Sequence, residues 1–141
     1  MRHTISSILF PLKITAIIIL FSVASACATT PDEIKLLDKS FMLYEHALRW
    51  QDYDLVIGFH KPEQETLTDS KRKQLKEYRV TGYNVVYTKI EPDNKSAKQV
   101  IEIKYYNDAY AVVRDITVTH NWEYDDEKIR WQINNPLPEF R

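Results

Sequence analysis

RVTGYNVVYTKI at residues 79–90, AKQVIEIKYY at 97–106, AYAVVRDITVTHNWE at 109–123 and KIRWQIN at 128–134 carry the reading on which the fold turns. Each run is rich in β-branched and aromatic residues, and the runs are separated by the turn formers Asp93-Asn94, Asn107-Asp108 and Asp125-Asp126. Connections this short force antiparallel neighbours, so the spacing predicts a four-stranded meander. Gly82, one of only two glycines, falls inside the first run and predicts a bulge that bends the sheet. Pro136-Leu137-Pro138 ends the last strand as an extended tail.

Upstream of Arg79 the period is helical. Thr30 is placed to cap, Pro31 suits a first helical position, and Glu33 can reach back to the cap amide. Ile34, Leu37, Phe41, Tyr44 and Leu48 recur at helical spacing, which predicts one apolar stripe on a helix ending near Trp50. Asp52 caps a second short helix, Tyr53 to Phe59, which Lys61-Pro62 stops, and a third starts near Thr68 and runs through Leu75 to Tyr78. Three helices ahead of a meander can bury that stripe only against one sheet face. The fold class is therefore α+β, with N-terminal helices packed on a curved four-stranded antiparallel sheet in a single domain over residues 31–141. A one-helix cystatin-like sheet is the alternative, and the second and third helices argue against it.

The first 26 residues read as an address. Arg2, His3 and Lys13 form a charged n-region, Ile14 to Val23 a short apolar core, and Ala24-Ser25-Ala26 a small-residue cleavage site. The apolar stretch is shorter than the roughly 20 residues that span a bilayer. Retaining it as an anchor would require Ile8 to Leu12 to be recruited past Pro11 and Lys13. Cys27 is the only cysteine, so it cannot form an internal disulfide. Its setting, Val23-Ala24-Ser25-Ala26-Cys27, resembles the lipobox of bacterial lipoproteins, which implies diacylation of Cys27 and a short tether over residues 27–30. Ala24 stands where lipoboxes prefer Leu, so the same residues also suit an ordinary signal peptidase and a soluble periplasmic product. Ala28, in place of the Asp of an inner-membrane retention signal, favours the outer membrane.

Cleavage after residue 26 of the 141-residue chain leaves 115 residues, enough for one core. Losing Arg2 and Lys13 with the leader takes the formal charge from −1 to −3, too mild to point to nucleic acid. Ser40, Ser70 and Ser96 lie outside any G-x-S-x-G pattern, and two glycines make no phosphate-cradling loop. His46 and His60 lack the spacing of a zinc site, so neither a metal nor another cofactor is expected. Asp125-Asp126-Glu127 lacks the glycine and the alternating ligands of a calcium loop. It reads as a solvated hairpin tip.

By element order, and by the stretch Ala47-Leu48-Arg49-Trp50-Gln51-Asp52-Tyr53-Asp54 at the first helix pair, the chain resembles the nuclear-transport-factor-like superfamily, which includes ketosteroid isomerase and scytalone dehydratase. The resemblance covers roughly residues 31–134. It implies a cone with a cavity that some members use for catalysis and others for binding, and none of their catalytic constellations is matched here.

Along the third strand Val112, Arg114, Ile116, Val118, His120 and Trp122 share one face, so Arg114 and His120 are the candidate cavity residues. They suit an anion-recognising pocket or a His acid/base, or else a structural Arg paired with a helix carboxylate and a His at the strand's rim. Lys71, Arg72, Lys73, Lys76 and Arg79 make the third helix basic, either a solvated face or a contact for lipid phosphates. Tyr83 and Tyr87, with Val85, are expected together on the outer side of the first strand, where an envelope partner or a second copy would cover them. The sequence thus favours a lipid-anchored, non-catalytic binding or assembly module on the periplasmic side of the outer membrane. A small-molecule isomerase or dehydratase is the other class.

Overall fold

The computed structural model describes residues 31–141. Within them lie helices α1 (Asp32–Arg49), α2 (Tyr53–Phe59) and α3 (Asp69–Leu75), followed by strands β1 (Tyr78–Ile90), β2 (Ser96–Asn107), β3 (Val113–Asp125) and β4 (Arg130–Ile133). The strands form one open antiparallel sheet in the order β1-β2-β3-β4, as the turn spacing predicts. The architecture is α+β. The leader, Cys27 and the tether lie outside the described residues, as does Thr30.

α1 starts on Pro31 with no side-chain cap, and Asp32 and Glu33 in its first turn face the positive end of the helix dipole. Its expected stripe is buried at Leu37, Tyr44 and Leu48, with Ala47 beside them, and partly buried at Ile34 and Phe41. Gln51 takes a left-handed conformation (φ 58°) that turns the chain into α2. Its side-chain amide fixes the turn by donating to Lys76 O at 3.2 Å and Tyr78 O at 2.7 Å. Asp52 caps α2 by accepting from Leu55 N at 3.1 Å, and Thr68 caps α3 by accepting from Lys71 N at 3.2 Å.

Register decides what the sheet can bury. In β2, Ala97, Gln99, Ile101, Ile103 and Tyr105 face the helices, and their β3 partners Trp122, His120, Val118, Ile116 and Arg114 share that face. β1 contains two bulges, the expected one at Val80/Gly82 and a second at Val85/Tyr87. Together they bring Val80, Tyr83, Val85, Thr88 and Ile90 opposite the inward residues of β2. A side chain on Gly82 would stand 3.2 Å from Lys104 Cβ, so the first bulge is also a close approach of two strands.

The segment after β4 is part of the core. Leu137 and Phe140 are buried, Phe140 packs 4.8 Å from the Tyr105 ring, and Leu137 N donates to Glu65 at 3.1 Å. Trp131 Nε1 donates to Glu33 O at 2.8 Å, tying β4 to the start of α1.

Candidate functional site

Two regions lie between α1 and the sheet, one closed and one open. The closed region is aromatic. Trp122 meets Phe41, Tyr44 and Phe59 edge-on at centroid distances of 5.3, 5.9 and 5.9 Å. Two histidines and a tyrosine form a chain among these rings. Tyr44 Oη lies 3.1 Å from His60 Nε2 and 3.5 Å from His120 Nε2, and His60 Nδ1 lies 2.7 Å from Asn135 O.

The direction of that chain follows from its last member. A carbonyl only accepts, so His60 Nδ1 carries the proton and its Nε2 is an acceptor in the neutral ring. Tyr44 therefore donates to His60, and its oxygen is left to accept a long bond from His120 Nε2. His120 Nδ1 is then an acceptor without a partner, and Trp122 Nε1 is a donor without one. Burial, and then the neighbouring His60, push the His120 imidazole down to about 3. Burial also lowers His60, partly offset by its bond to Asn135, and raises the Tyr44 hydroxyl well above its ordinary value. The cluster is neutral and sealed: His120 and Tyr44 are both 0 % exposed.

The open region is a groove of about 410 Å³ between α1 and the inner face of β1 and β2. Phe41 and Met42 from α1 and Val85 from β1 supply its apolar wall, and Asp38 and Glu45 stand along the helix side. Gln99 and Tyr83 line it from the sheet. Gln99 is the register partner of His120 and Phe41 packs on Trp122, so these two residues separate the groove from the sealed cluster. Gln99 Oε1 and the Tyr83 hydroxyl are buried without a hydrogen-bond partner.

The expected site residues are distributed differently from the sequence reading. Arg114 and His120 share the predicted face, but six residues of strand separate them, about 20 Å. Arg114 is exposed and donates to Arg141 O at 2.8 Å, beside a separate recess lined by Tyr78, Tyr110 and Val112. Its partner is a main-chain oxygen, not a helix carboxylate, and His120 sits in the core, not at a rim. Tyr83 and Tyr87 do not share a face, because the Val85/Tyr87 bulge leaves Tyr83 on the inner side and sends Tyr87, opposite Val100, to the outer one. That outer face carries Lys98, Glu102, Lys104 and Asp115, all exposed.

The basic residues around α3 are largely paired, Lys71 with Glu65 at 2.7 Å, Arg72 with Asp54 at 2.8 Å and Arg79 with Asp108 at 3.1 Å. Burial pushes the Glu65 carboxyl up, but bonds from Lys71 and the Leu137 and Thr66 amides outweigh it and leave the group below its ordinary value. Among the described residues no group of three His, Cys, Asp or Glu side chains is placed to hold a metal ion. His60 and Gln99 are the site residues that sequence reasoning missed. Gln99 had one available signal, a polar residue at an inward phase of an otherwise apolar strand.

No family model matches the chain, and a search of curated proteins finds no match. Solved structures that share its fold include two SEC-C motif-containing proteins. The solution structure of a SEC-C motif-containing protein from Rhodopseudomonas palustris aligns with a TM-score of 0.52 at 12 % identity, over 67 % of this chain and 73 % of that one. The crystal structure of a SEC-C motif-containing protein from Psychrobacter arcticus aligns with a TM-score of 0.55 at 11 % identity, over 100 % of this chain and 78 % of that one. These neighbours correct the nuclear-transport-factor-like resemblance. The stretch from Ala47 to Asp54 that suggested it has a local explanation: Asp52 caps α2, and Gln51 ties the helix turn to the start of β1. Such a turn serves any chain that packs a helix pair on a sheet. At this identity the likeness establishes the fold, and what the chain is similar to is the fold of two SEC-C motif-containing proteins.

Proposed function

We propose that the chain is an exported lipoprotein, anchored by Cys27 on the periplasmic side of the outer membrane, whose domain is a non-catalytic binding module for another envelope component. The observation that carries the binding half is the contrast between a sealed polar cluster and an open groove. A general acid or base must come within hydrogen-bond reach of the atom it serves. His120 and Tyr44 are walled in by Phe41, Phe59 and Trp122, whereas the groove offers apolar and polar contacts to a visitor. No observation favours the isomerase or dehydratase class over this. Among the described residues no helix is long and apolar enough to cross a membrane, so membrane contact in this reading rests on the leader and Cys27.

Two measurements test the two halves. In a Gram-negative host fed an alkyne fatty acid, the full chain is expected to take up label and sediment with outer membrane, and Cys27→Ser to lose both. Label and sedimentation unchanged in Cys27→Ser would remove the anchor. A photo-crosslinking residue in place of Val85 should give envelope adducts that the same residue in place of Asp115, on the opposite sheet face, does not. Equal adducts from both positions would remove the binding surface.

A further inference from the structure

The face of α1 turned away from the core is uncovered, and it is not the polar face that water alone would favour. At about 100° per residue, Lys35, Lys39, Met42, Leu43, His46 and Trp50 fall on one stripe, opposite the buried Leu37, Tyr44 and Leu48. All six are exposed, Met42 by 65 % and Trp50 by 73 %. The lysines lie toward the start of the helix and the apolar side chains toward its end. Asp32, the acid on this stripe, is bonded to Lys35 at 2.9 Å, whereas Asp38 and Glu45 stand to one side along the groove. A stripe both basic and apolar suits the headgroup layer of an anionic bilayer, where lysine meets phosphate and tryptophan sits between water and acyl chain.

The tether sets which surface lies in reach. Cys27 precedes Pro31 by four residues, so a lipid on Cys27 begins at most about 14 Å from the start of α1. α1 has 18 residues and is about 27 Å long, and standing upright on its tether it would hold Trp50 that much farther from the membrane. Lying down, it brings the whole stripe to the lipid. We propose that α1 lies flat on the lipid surface, with Lys35 and Lys39 on anionic headgroup phosphates and Met42, Leu43 and Trp50 among the upper acyl chains. The assignment rests on the Cys27 anchor and adds the face that meets the membrane.

The test reconstitutes the full chain in vesicles of phosphatidylethanolamine and phosphatidylglycerol whose acyl chains carry bromine near the headgroup. Trp122 and Trp131 are each 1 % exposed and the leader contains no tryptophan, so Trp50 is the indole that bromine can reach. Quenching is expected to remove about a third of the emission, the share of one tryptophan in three, and to vanish in Trp50→Phe. A Lys35→Glu, Lys39→Glu double variant should be quenched about twofold less, as should the wild type in brominated phosphatidylcholine. Both lysines are on the surface, and a thermal melt checks that the variant is folded. Quenching that persists in Trp50→Phe, or is unchanged in the double variant, overturns the proposal. So does a Trp50 shielded from aqueous acrylamide but not quenched by bromine, which would give the face to a protein partner or a second copy. Flotation separates the two readings: a chain that floats with the vesicles unquenched keeps its anchor and loses this contact, and one that does not float loses both.

Discussion

β1 and β2 lie side by side in one register, yet β2 is a core strand and much of β1 is not. Ile101 and Val85 are direct partners in that register, and they are 0 % and 46 % exposed. β2 has neighbours on both edges and every second residue under the helices. β1 is an edge strand, and along its second half the inward-facing Val85 and Ile90 are incompletely covered by α1 and remain in solvent. Burial therefore depends on what lies above a strand, and sharing its register is not sufficient. The uncovered half of β1 is also where the groove opens.

The sharpest way to break this comparison is to truncate the two partners. Ile101→Ala removes a fully enclosed side chain and should cost about 2–5 kcal/mol. Val85→Ala removes one already half in water and should cost less than about 1 kcal/mol. Urea unfolding of the Pro31–Arg141 domain measures both. Similar losses at the two positions would mean that α1 covers β1 as fully as β2.

The sealed region gives a pH signature that the open one lacks. His120 is held down to about 3 from 6.5, and His60 is lowered as well, both first by burial. Below 6.5 the unfolded chain takes up protons that these buried rings refuse, so it binds more protons than the native state. Stability is full above pH 6.5 and falls as the pH drops toward the folded values, by up to about 1.4 kcal/mol per pH unit for each histidine. The lowered carboxyls of Glu65 and Glu123 add to the loss only near and below their own ordinary value of 4.5. In His120→Leu the decline between pH 6.5 and 4.5 should become shallower. An identical slope would show that His120 takes up its proton without opening the core.

A smaller effect belongs to the turns that hold the helices over the sheet. Asp52→Ala removes the acceptor for Leu55 N and should cost about 1 kcal/mol. Thermal unfolding at pH 7 measures the loss.

The helices and β2 were legible because their periods run unbroken. The stripe from Leu37 to Leu48 and the alternation from Ala97 to Tyr105 both place the core, and the short turns give the meander. β1 resisted for a specific reason. A bulge inserts one residue and reverses the phase of everything after it, and Val85-Val86-Tyr87 contains no glycine to announce one. His60 resisted for another, since it meets His120 only through the packing of α2 against β4 and lies 60 residues away from it in sequence. The groove was illegible too, because the inward position of Gln99 is visible in β2 but the absence of a partner for it is a property of the packed structure.

Tyr83 and Tyr87 reduce the comparison to two hydroxyl groups on one strand. A reading that ignores the second bulge puts both on the same face, and then removing either hydroxyl should have the same effect. In the structure the Tyr83 hydroxyl is buried without a partner, and burial together with Glu45 raises its ionisation above the ordinary tyrosine value, while Tyr87 is 45 % exposed and its hydroxyl is free to meet water. Replacing a buried, unpaired hydroxyl by hydrogen removes a desolvation cost and leaves the ring in place. Tyr83→Phe should therefore be neutral or stabilising by about 0.5–1 kcal/mol. Tyr87→Phe should change stability by less than about 0.5 kcal/mol in either direction. Paired urea titrations of the two variants read the difference. A loss of 1 kcal/mol or more at Tyr83, on the order of one net hydrogen bond, would place that hydroxyl in a bond and put the bulge elsewhere in β1.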